Sequence, residues 1–192
     1  MSAPISCGMH SGKRINPFDL APELIDINDI AHHLSMLCRF NGAVDTFYSV
    51  AEHSVRVSRM AERATLAEGK GQQMAATVGL YGLLHDGSEA YLSDIISQLK
   101  QTDLFAAYRA LEADVQQRVY ARFGLTGPTP EAVHVADKRM VGIEGISLLI
   151  DPSPELIEQA GNSPRLEHQL RQSQAKHAFL MRFEQLGGRY AA

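Results

Sequence analysis

Tryptophan is absent from the 192-residue sequence, and cysteine occurs only twice, at Cys7 and Cys38. Two cysteines this far apart exclude a disulfide framework and a zinc site made from cysteines alone. Cys38 stands in an apolar stretch with helical periodicity, so we expect it to be a buried thiol. Such sparse use of cysteine is typical of proteins in a reducing cytoplasm, and we expect the chain to be cytoplasmic.

Long hydrophobic runs and an excess of positive charge are also lacking. No apolar stretch approaches the roughly 20 residues that a membrane-spanning helix requires, and the N-terminus lacks the order of a secretory signal. The formal net charge is -4, whereas proteins that bind long nucleic acids usually carry a basic excess. We therefore expect neither a membrane nor a long nucleic acid as a partner. A small phosphorylated ligand would need only one or two local cations.

The composition predicts one helical domain. Hydrophobic residues make up 45% of the chain and charged residues 21%, which is typical of a globular protein. Residues 1–25 are rich in Pro, Gly and Ser and are expected to form an extended arm. No stretch alternates with a period of two, so we predict an all-α fold with a single domain over residues 26–192.

Helical spacing of apolar residues predicts where the helices lie. The expected helices cover about residues 26–40, 49–64, 72–86, 104–123, 130–150 and 164–186, with a turn and a short helix around 91–100 and a loop over 151–164. Asp26 or Asn28 can cap the first helix, and Asn41-Gly42 can end it. Gly142 and Gly145, three residues apart, should allow close packing of another helix.

Polar groups interrupt the apolar stripes of three different predicted helices. His85 and Asp86 end the most hydrophobic helix, where an imidazole and a carboxylate are costly unless a partner satisfies them. Taken singly, His85-Asp86 is an unremarkable dipeptide, His53 can be a core histidine, and Asp137 can face solvent. Three inward metal-competent positions together favour a metal site instead, and mixed nitrogen and oxygen ligands suit zinc, manganese, cobalt or iron. Glu144, two helical turns after Asp137, could support such a site.

The other histidines give weaker signals. His32 and His33 are consecutive on the first predicted helix and must point in different directions, so one can line a pocket but neither is expected to be a ligand. The remaining histidines have no visible partners in the sequence and are expected to be structural or exposed: His10, His134, His168 and His177.

With these residues in place, the sequence resembles the HD-domain metal-dependent phosphohydrolases, whose signature is a His, a His-Asp pair and a distant Asp on separate helices. The resemblance implies an HD-type helical bundle. It also implies that His53 in SVAEHS, His85 and Asp86 in LLHDGSEAYLSD, and Asp137 in VADKRM hold one divalent metal ion. That ion would be Zn, Co, Mn or Fe, and Mg is a candidate for a second ion.

The resemblance extends to the branch that contains bacterial 5'-deoxynucleotidases and phage deoxynucleoside triphosphohydrolases. In that branch the His-Asp pair is followed by Glu, Asp and Lys at fixed spacings, which here are Glu89, Asp94 and Lys100. An Arg-aromatic pair precedes the first ligand, and Arg39-Phe40 matches it. This similarity covers about residues 15–149. Some deoxynucleotidases have Trp where this chain has Phe40, and a Pro-rich turn often stands where this chain has DIISQLK.

The resemblance implies a role for each of these residues. Glu89 would orient or deprotonate the attacking water, although it can also be a surface carboxylate. Asp94 would protonate the leaving oxygen or accept a hydrogen bond from the sugar 3'-hydroxyl, and the sequence does not choose between these. Arg39 and Lys100 would bind phosphate. Phe40 would stack on the base or sugar, or else belong to the core.

The expected substrate is a small 2'-deoxynucleotide. With two phosphate-binding cations identified, removal of phosphate from a deoxynucleoside 5'-monophosphate is slightly favoured. Release of triphosphate from a deoxynucleoside triphosphate is the alternative. A non-catalytic nucleotide-binding module is the competing hypothesis from another class. The resemblance further implies a homo-oligomer, either a dimer or a hexamer, and location in the host cytoplasm if a phage encodes the chain.

Overall fold

The computed structural model describes residues 5–188 and confirms the predicted all-α, single-domain fold. Two short antiparallel strands, β1 (Cys7–Gly8) and β2 (Arg14–Ile15), precede the helices. The α-helices are α1 (Ile27–Met36), α2 (Val50–Ala67), α3 (Gln72–Leu84), α4 (Glu89–Leu92), α5 (Ser97–Lys100), α6 (Ala106–Arg122), α7 (Glu131–Leu148), α8 (Pro154–Ala160) and α9 (Gln172–Gln185). Short 3-10 turns cover Pro17–Asp19, Pro22–Leu24, Arg39–Gly42 and Asp103–Phe105. Among the described helices, none combines the length and the apolar character that a membrane crossing needs.

Helix α2 is the centre of the bundle and packs against α1, α3, α7 and α9. It begins where Ser49 Oγ accepts a hydrogen bond from the Glu52 amide at 3.2 Å, which satisfies one of the free amides of the first turn. Helix α3 lies beside it and carries apolar residues on all sides, as expected of a buried helix. The two helices approach closely at Gly82, where an added Cβ would lie 3.0 Å from the Ser58 Cα atom.

The predicted role of the two glycines on α7 is confirmed. Helix α8 packs directly on α7 at these positions. A Cβ on Gly142 would lie 2.7 Å from the carbonyl carbon of Gln159, and one on Gly145 would lie 2.8 Å from Cδ1 of Leu156. Both distances are shorter than a van der Waals contact, so larger side chains here would push α8 away.

The first helix is shorter than predicted, and the prediction that it runs to residue 40 is wrong. It ends at Met36, after which the chain is extended and pairs through Cys38 with Ser49. The Arg39 amide donates to the Tyr48 carbonyl at 2.9 Å, so the backbone finds partners outside a helix. Cys38 is therefore not helical and only half-buried, which corrects the expectation of a buried helical thiol.

The C-terminal third also differs from the prediction. The region 151–164 contains helix α8, which Ser153 caps and Pro154 begins. The last helix begins at Gln172 rather than at 164. The preceding stretch is irregular because side chains of the bundle take its amides: the Leu170 amide donates to Glu52 at 2.7 Å and the Leu166 amide donates to Ser147 at 2.9 Å.

The segment predicted as an extended arm is packed on the helices where the structure describes it. It lacks α-helices, as its Pro, Gly and Ser suggest, but four of its apolar side chains enter the core: Met9, Ile15, Leu20 and Ile25. The arm is thus irregular yet part of the folded body.

Candidate active site

Three helices bring the predicted ligand residues to one point. His53 lies in the first turn of α2 and is fully buried. His85 and Asp86 follow the last residue of α3, and Asp137 lies on α7. Because α2 contacts both α3 and α7, the side chains from the three helices meet in the same space.

The ligand atoms are close enough to share a cation. His53 Nε2 lies 3.3 Å from His85 Nε2 and 3.7 Å from Asp86 Oδ2, and His85 Nε2 lies 3.3 Å from the same oxygen. The group formed by His53, His85 and Asp86 could therefore hold a metal ion. Asp137 reaches both histidines as well, with Oδ1 3.1 Å from His53 Nε2 and 3.7 Å from His85 Nε2.

These distances fit a metal centre. Ligand atoms about 2.0–2.2 Å from one cation in tetrahedral or octahedral geometry lie roughly 3.0–3.5 Å apart. The histidines are also oriented for ligation, because each uses its Nδ1 elsewhere. His85 Nδ1 donates to the Gly82 carbonyl at 2.9 Å, and His53 Nδ1 lies 2.7 Å from Glu144 Oε1. Both Nε2 atoms therefore face the acids.

The pKa shifts at the centre show that negatively charged carboxylates surround the imidazoles. Burial and Arg39 act to lower the pKa of His53, but Glu144 and Asp137 outweigh them and raise it to about 9. Burial acts to raise the pKa of Asp137, but hydrogen bonds from His53 and His85 hold it well below its usual range. The environment that holds a proton so firmly on His53 is equally suited to a cation.

Arg39, Tyr48 and Glu144 form a second group of side chains, which we call the rear wall and which contacts His53 through Glu144. Glu144 is fully buried on α7 and has three partners. It accepts from Tyr48 at 2.8 Å, from Arg39 Nε at 3.0 Å, and it contacts His53 Nδ1 at 2.7 Å. Although burial alone would raise the pKa of Glu144, His53 and Arg39 lower it. The supporting position expected for Glu144 is what the structure shows.

Arg39 connects the rear wall to the ligand group. Its Nη1 lies 3.7 Å from Asp86 Oδ2 while its Nε is bonded to Glu144. Burial acts to lower the pKa of Arg39, but Glu144 and Asp86 raise it, so the guanidinium stays charged. The predicted phosphate-binding cation is thus already held by two acids beside the centre.

Glu89 lies in front of the centre and lacks the partners that Glu144 has. It is buried, and its Oε2 has no hydrogen-bond partner among residues 5–188. Burial, together with the charges of Asp86 and Asp94, raises the pKa of Glu89 well above its usual value. The burial of Glu89 excludes the alternative that it is a surface carboxylate. Its Oε2 atom remains without a hydrogen-bond partner among residues 5–188, beside the predicted ligand residues.

Glu89 lines a cavity of about 240 Å³, which we call the front cavity. His85, Asp86 and Lys100 also line it, so the structure brings these predicted site residues together. Lys100 Nζ lies 3.9 Å from Glu89 and 3.0 Å from Glu112. Burial acts to lower the pKa of Lys100, but Glu112 raises it, and the ammonium therefore remains charged.

Two predicted residues lie less centrally. Asp94 is half-buried and close enough to Glu89 to raise the pKa of Glu89. It is not among the residues that line the front cavity. Phe40 is half-buried in the Arg39–Gly42 turn, with its ring centre 5.8 Å from the Arg39 guanidinium carbon. It is likewise not among the residues that line the front cavity.

The sequence analysis missed residues whose role depends on distant elements. Tyr48 precedes the cap of α2 and reaches Glu144 on α7. Gln116 on α6 receives the Ser88 amide at 2.9 Å and donates to the Leu84 carbonyl at 2.7 Å, which holds the turn after α3. Glu112, one turn earlier on α6, pairs with Lys100. A shared stripe of polar residues on α6 was the available signal, but it does not indicate which element it faces.

No protein-family model matches the sequence. An uncharacterized protein of Rhodobacter capsulatus is 37% identical over 132 residues, which cover 68% of this chain and 64% of that protein. The uncharacterized protein YfdR of Escherichia coli is 33% identical over 141 residues, which cover 73% of this chain and 71% of YfdR. The match thus spans slightly less than two thirds of the Rhodobacter protein and somewhat more of YfdR.

Proposed function

The chain belongs to the same family as YfdR of Escherichia coli, and we propose that it is a metal-dependent phosphohydrolase acting on 2'-deoxynucleotides, with 5'-monophosphates preferred. One observation carries the proposal. His85 and Asp86, two members of a group that could hold a divalent cation, line the same small cavity as Lys100 and the buried Glu89, whose Oε2 has no hydrogen-bond partner among residues 5–188. The resemblance to the HD-domain phosphohydrolases supports it.

In the proposal, His53, His85, Asp86 and Asp137 hold the ion. Their nitrogen and oxygen donors suit Zn, Mn, Co or Fe. A bound ion of this kind supplies acidification of a water molecule and neutralisation of phosphate charge. The rear wall keeps the His53 ring in one orientation through Glu144, so the imidazole presents Nε2 without rearrangement.

Glu89 is the proposed general base. Its Oε2 has no partner in the described chain, so it can accept a hydrogen bond from a water that enters the front cavity. Burial and the charges of Asp86 and Asp94 raise its pKa, which makes the carboxylate a stronger base than an exposed glutamate. Asp94 is proposed either to protonate the leaving oxygen of the substrate or to accept a hydrogen bond from the sugar 3'-hydroxyl.

The balance of charge favours a monophosphate. The front cavity is small, at about 240 Å³, and both of its cations, as well as the nearby Arg39, already have partners. Lys100 is paired with Glu112, Arg39 is paired with Glu144, and Arg109 donates to backbone carbonyls of residues 100 and 102. A triphosphate would bring much more negative charge than these groups can neutralise from one chain. A single phosphate needs one Lys and one Arg.

Product analysis tests the proposal. Purified chain is loaded separately with Mn, Co, Zn and Fe, incubated with each 2'-deoxynucleoside mono- and triphosphate, and the products are separated by ion-exchange chromatography. We expect inorganic phosphate and deoxynucleoside from monophosphates, and loss of both products in Glu89→Gln. The matched control is Glu167→Gln, which changes an exposed carboxylate away from the centre.

Each other outcome assigns a different function. Release of triphosphate from the triphosphates would replace the monophosphate specificity by the triphosphohydrolase alternative. Nucleotide binding without any hydrolysis, whichever metal is added, would show a non-catalytic binding module. If the chain neither bound nor hydrolysed any of these nucleotides, the proposal would be contradicted altogether.

A further inference from the structure

A second and larger cavity adjoins the front cavity. It has a volume of about 660 Å³ and lies between the N-terminal hairpin, α1 and α4. His10 contributes from the hairpin, His32, His33 and Met36 contribute from α1, and Glu89 contributes from α4. Glu89 lines both cavities, so a ligand that occupied both would pass this carboxylate. We call the larger space the hairpin cavity.

The hairpin over this cavity is held firmly to α1. Its strands pair between Gly8 and Arg14, and Gly12, at φ 84°, makes the turn. The Ser11 amide and hydroxyl each donate to a different oxygen of Asp29, both at 2.7 Å. Asp29 is fully buried on α1. Two charge-assisted hydrogen bonds to a buried carboxylate fix the hairpin as a wall of the cavity.

Two stacked imidazoles form a flat surface in the hairpin cavity, and a third, His33, stands edge-on to His32 at 70°. The rings of His10 and His32 are stacked, with centres 3.5 Å apart and planes within 9°. The His10 amide donates to His33 Nε2 at 3.2 Å, which places the proton of neutral His33 on Nδ1. Burial and the nearby ionisable groups of His10, Lys176 and His33 lower the pKa of His32, which favours the neutral form of this ring. Neutral, planar rings are suited to stack on another aromatic ring.

The hairpin cavity has the properties of a site for an aromatic heterocycle. Its volume lies within the roughly 300–1,000 Å³ of small-molecule sites, and its walls combine apolar side chains such as Met36 and Leu37 with imidazole edges. Two residues that line it, Tyr91 and Glu89, have a buried oxygen without a hydrogen-bond partner among residues 5–188, and the Oε2 atom of Glu89 also borders the front cavity. A sugar hydroxyl or a water bridging to a sugar would satisfy that oxygen.

We propose that the hairpin cavity is the nucleoside subsite, in which the nucleobase lies against the His10–His32 stack while the phosphate lies in the front cavity. This inference rests on the proposed function, and it assigns base recognition to the N-terminal hairpin and α1. Phe40, the residue that the family resemblance implies for the base or sugar, is not among the residues that line the hairpin cavity. Variants of His32 and Phe40 therefore distinguish the two assignments.

A pair of substrates separates base recognition from phosphate chemistry. A 2'-deoxynucleoside 5'-monophosphate and 2-deoxyribose 5-phosphate share the sugar and the phosphate ester but differ in the base. Base stacking on one aromatic side chain is worth a change of about 5- to 150-fold. We expect His32→Ala to raise KM for the nucleotide by that factor with little change in kcat, and to leave kcat/KM for deoxyribose phosphate unchanged.

Controls exclude a general loss of structure. His32→Phe keeps a flat ring and should restore most of the affinity for the nucleotide. His134→Ala changes an exposed histidine outside the cavity and should alter neither substrate. Phe40→Ala should affect the two substrates equally. If Phe40→Ala alone produces the base-dependent loss, or if His32→Ala affects both substrates equally, the subsite is not in the hairpin cavity.

A binding experiment keeps the inference testable without catalysis. Titration calorimetry of metal-free protein with each 2'-deoxynucleoside, which has no phosphate, should show binding that His32→Ala weakens and Glu167→Gln does not. Binding of nucleosides in a protein that hydrolyses nothing would support the subsite while contradicting the phosphohydrolase. Hydrolysis of nucleotides and deoxyribose phosphate with equal efficiency, and no nucleoside binding, would overturn the subsite and leave the phosphohydrolase standing.

Discussion

The rear wall and the front cavity each contain a buried glutamate, and their surroundings are opposite. Glu144 in the rear wall has hydrogen-bond partners on both oxygens, and its pKa is lowered by His53 and Arg39 against the effect of burial. Glu89 in the front cavity has an oxygen with no partner in the described chain, and burial raises its pKa. A buried acid with partners on both oxygens orients its neighbours, whereas one with an oxygen that lacks a partner costs stability and remains available to a ligand.

The largest expected effect is the loss of turnover when Glu89 is replaced by an uncharged residue. Glu89→Gln keeps the shape of the side chain but removes the proposed base, so we expect kcat to fall by about 10²- to 10⁴-fold. The affinity for the metal ion should be nearly unchanged, because Glu89 is not among the ligand residues. Steady-state kinetics with a deoxynucleoside monophosphate, together with metal titration of the same variant, measures both quantities. Unchanged kcat would remove the distinction between the two glutamates.

Replacing Glu144 should instead lower stability and metal affinity. Glu144→Ala leaves Arg39 and His53 without their buried partner, so we expect the free energy of unfolding to fall by about 3–5 kcal/mol. Loss of the orienting hydrogen bond on a ligand histidine should weaken metal binding by about 10- to 100-fold. Urea unfolding and metal titration test these values. If Glu144→Ala lost turnover but kept stability and metal affinity, the rear wall would not be a supporting structure.

The pH dependence of stability should separate the two acids in metal-free protein. The folded pKa of Glu144 lies below the usual glutamate value of 4.5, so its contribution to stability is present above that pH and is lost as the pH falls. The folded pKa of Glu89 lies above 4.5, so the unfolded chain releases this proton first and stability falls as the pH rises. Each acid is tested as its Gln variant against the wild type.

As the pH rises towards about 4.5, the stability of Glu144→Gln relative to wild type should become more unfavourable, and above that pH it should level off. The relative stability of Glu89→Gln should become more favourable as the pH rises above about 4.5. Urea unfolding at several pH values, after removal of metal with a chelator, gives both differences. Parallel curves for the two variants would show that their environments do not differ as described.

The smallest expected effect comes from removing one of the three partners of Glu144. Tyr48→Phe deletes the 2.8 Å hydrogen bond to Glu144 and leaves Arg39 and His53 in place. We expect a loss of about 0.5–1.5 kcal/mol in the free energy of unfolding, with turnover nearly unchanged. A loss as large as that of Glu144→Ala would mean that Tyr48, rather than the ion pairs, holds the rear wall together.

Much of the fold could be predicted from the sequence because it depends on local periodicity. Helices α2, α3, α6 and α7 have apolar residues at helical spacing and clear end signals, and all four lie near their predicted positions. The predictions were wrong where contacts with distant residues decide the backbone. The chain leaves the first helix at Met36 because Cys38 pairs with Ser49, and residues 164–171 stay irregular because Glu52 and Ser147 take their amides.

The candidate site divides in the same way. His53, His85, Asp86 and Asp137 could be predicted because each polar group interrupts an apolar helix. The structure groups His53, His85 and Asp86 and places Asp137 beside the two histidines. The partners that surround them could not be predicted in the same way. Tyr48, Glu112 and Gln116 look like ordinary surface residues in the sequence, and their pairing depends on which helices cross.

The metal content of dialysed protein tests the central claim most directly. After incubation with manganese and dialysis, we expect about one ion per chain in the wild type, the stoichiometry of a single mononuclear centre. Glu89→Gln should retain it, and His85→Ala should lose it while keeping its helical circular dichroism. Absence of bound metal in the wild type, or equal retention by His85→Ala, would contradict a cation site made by these side chains.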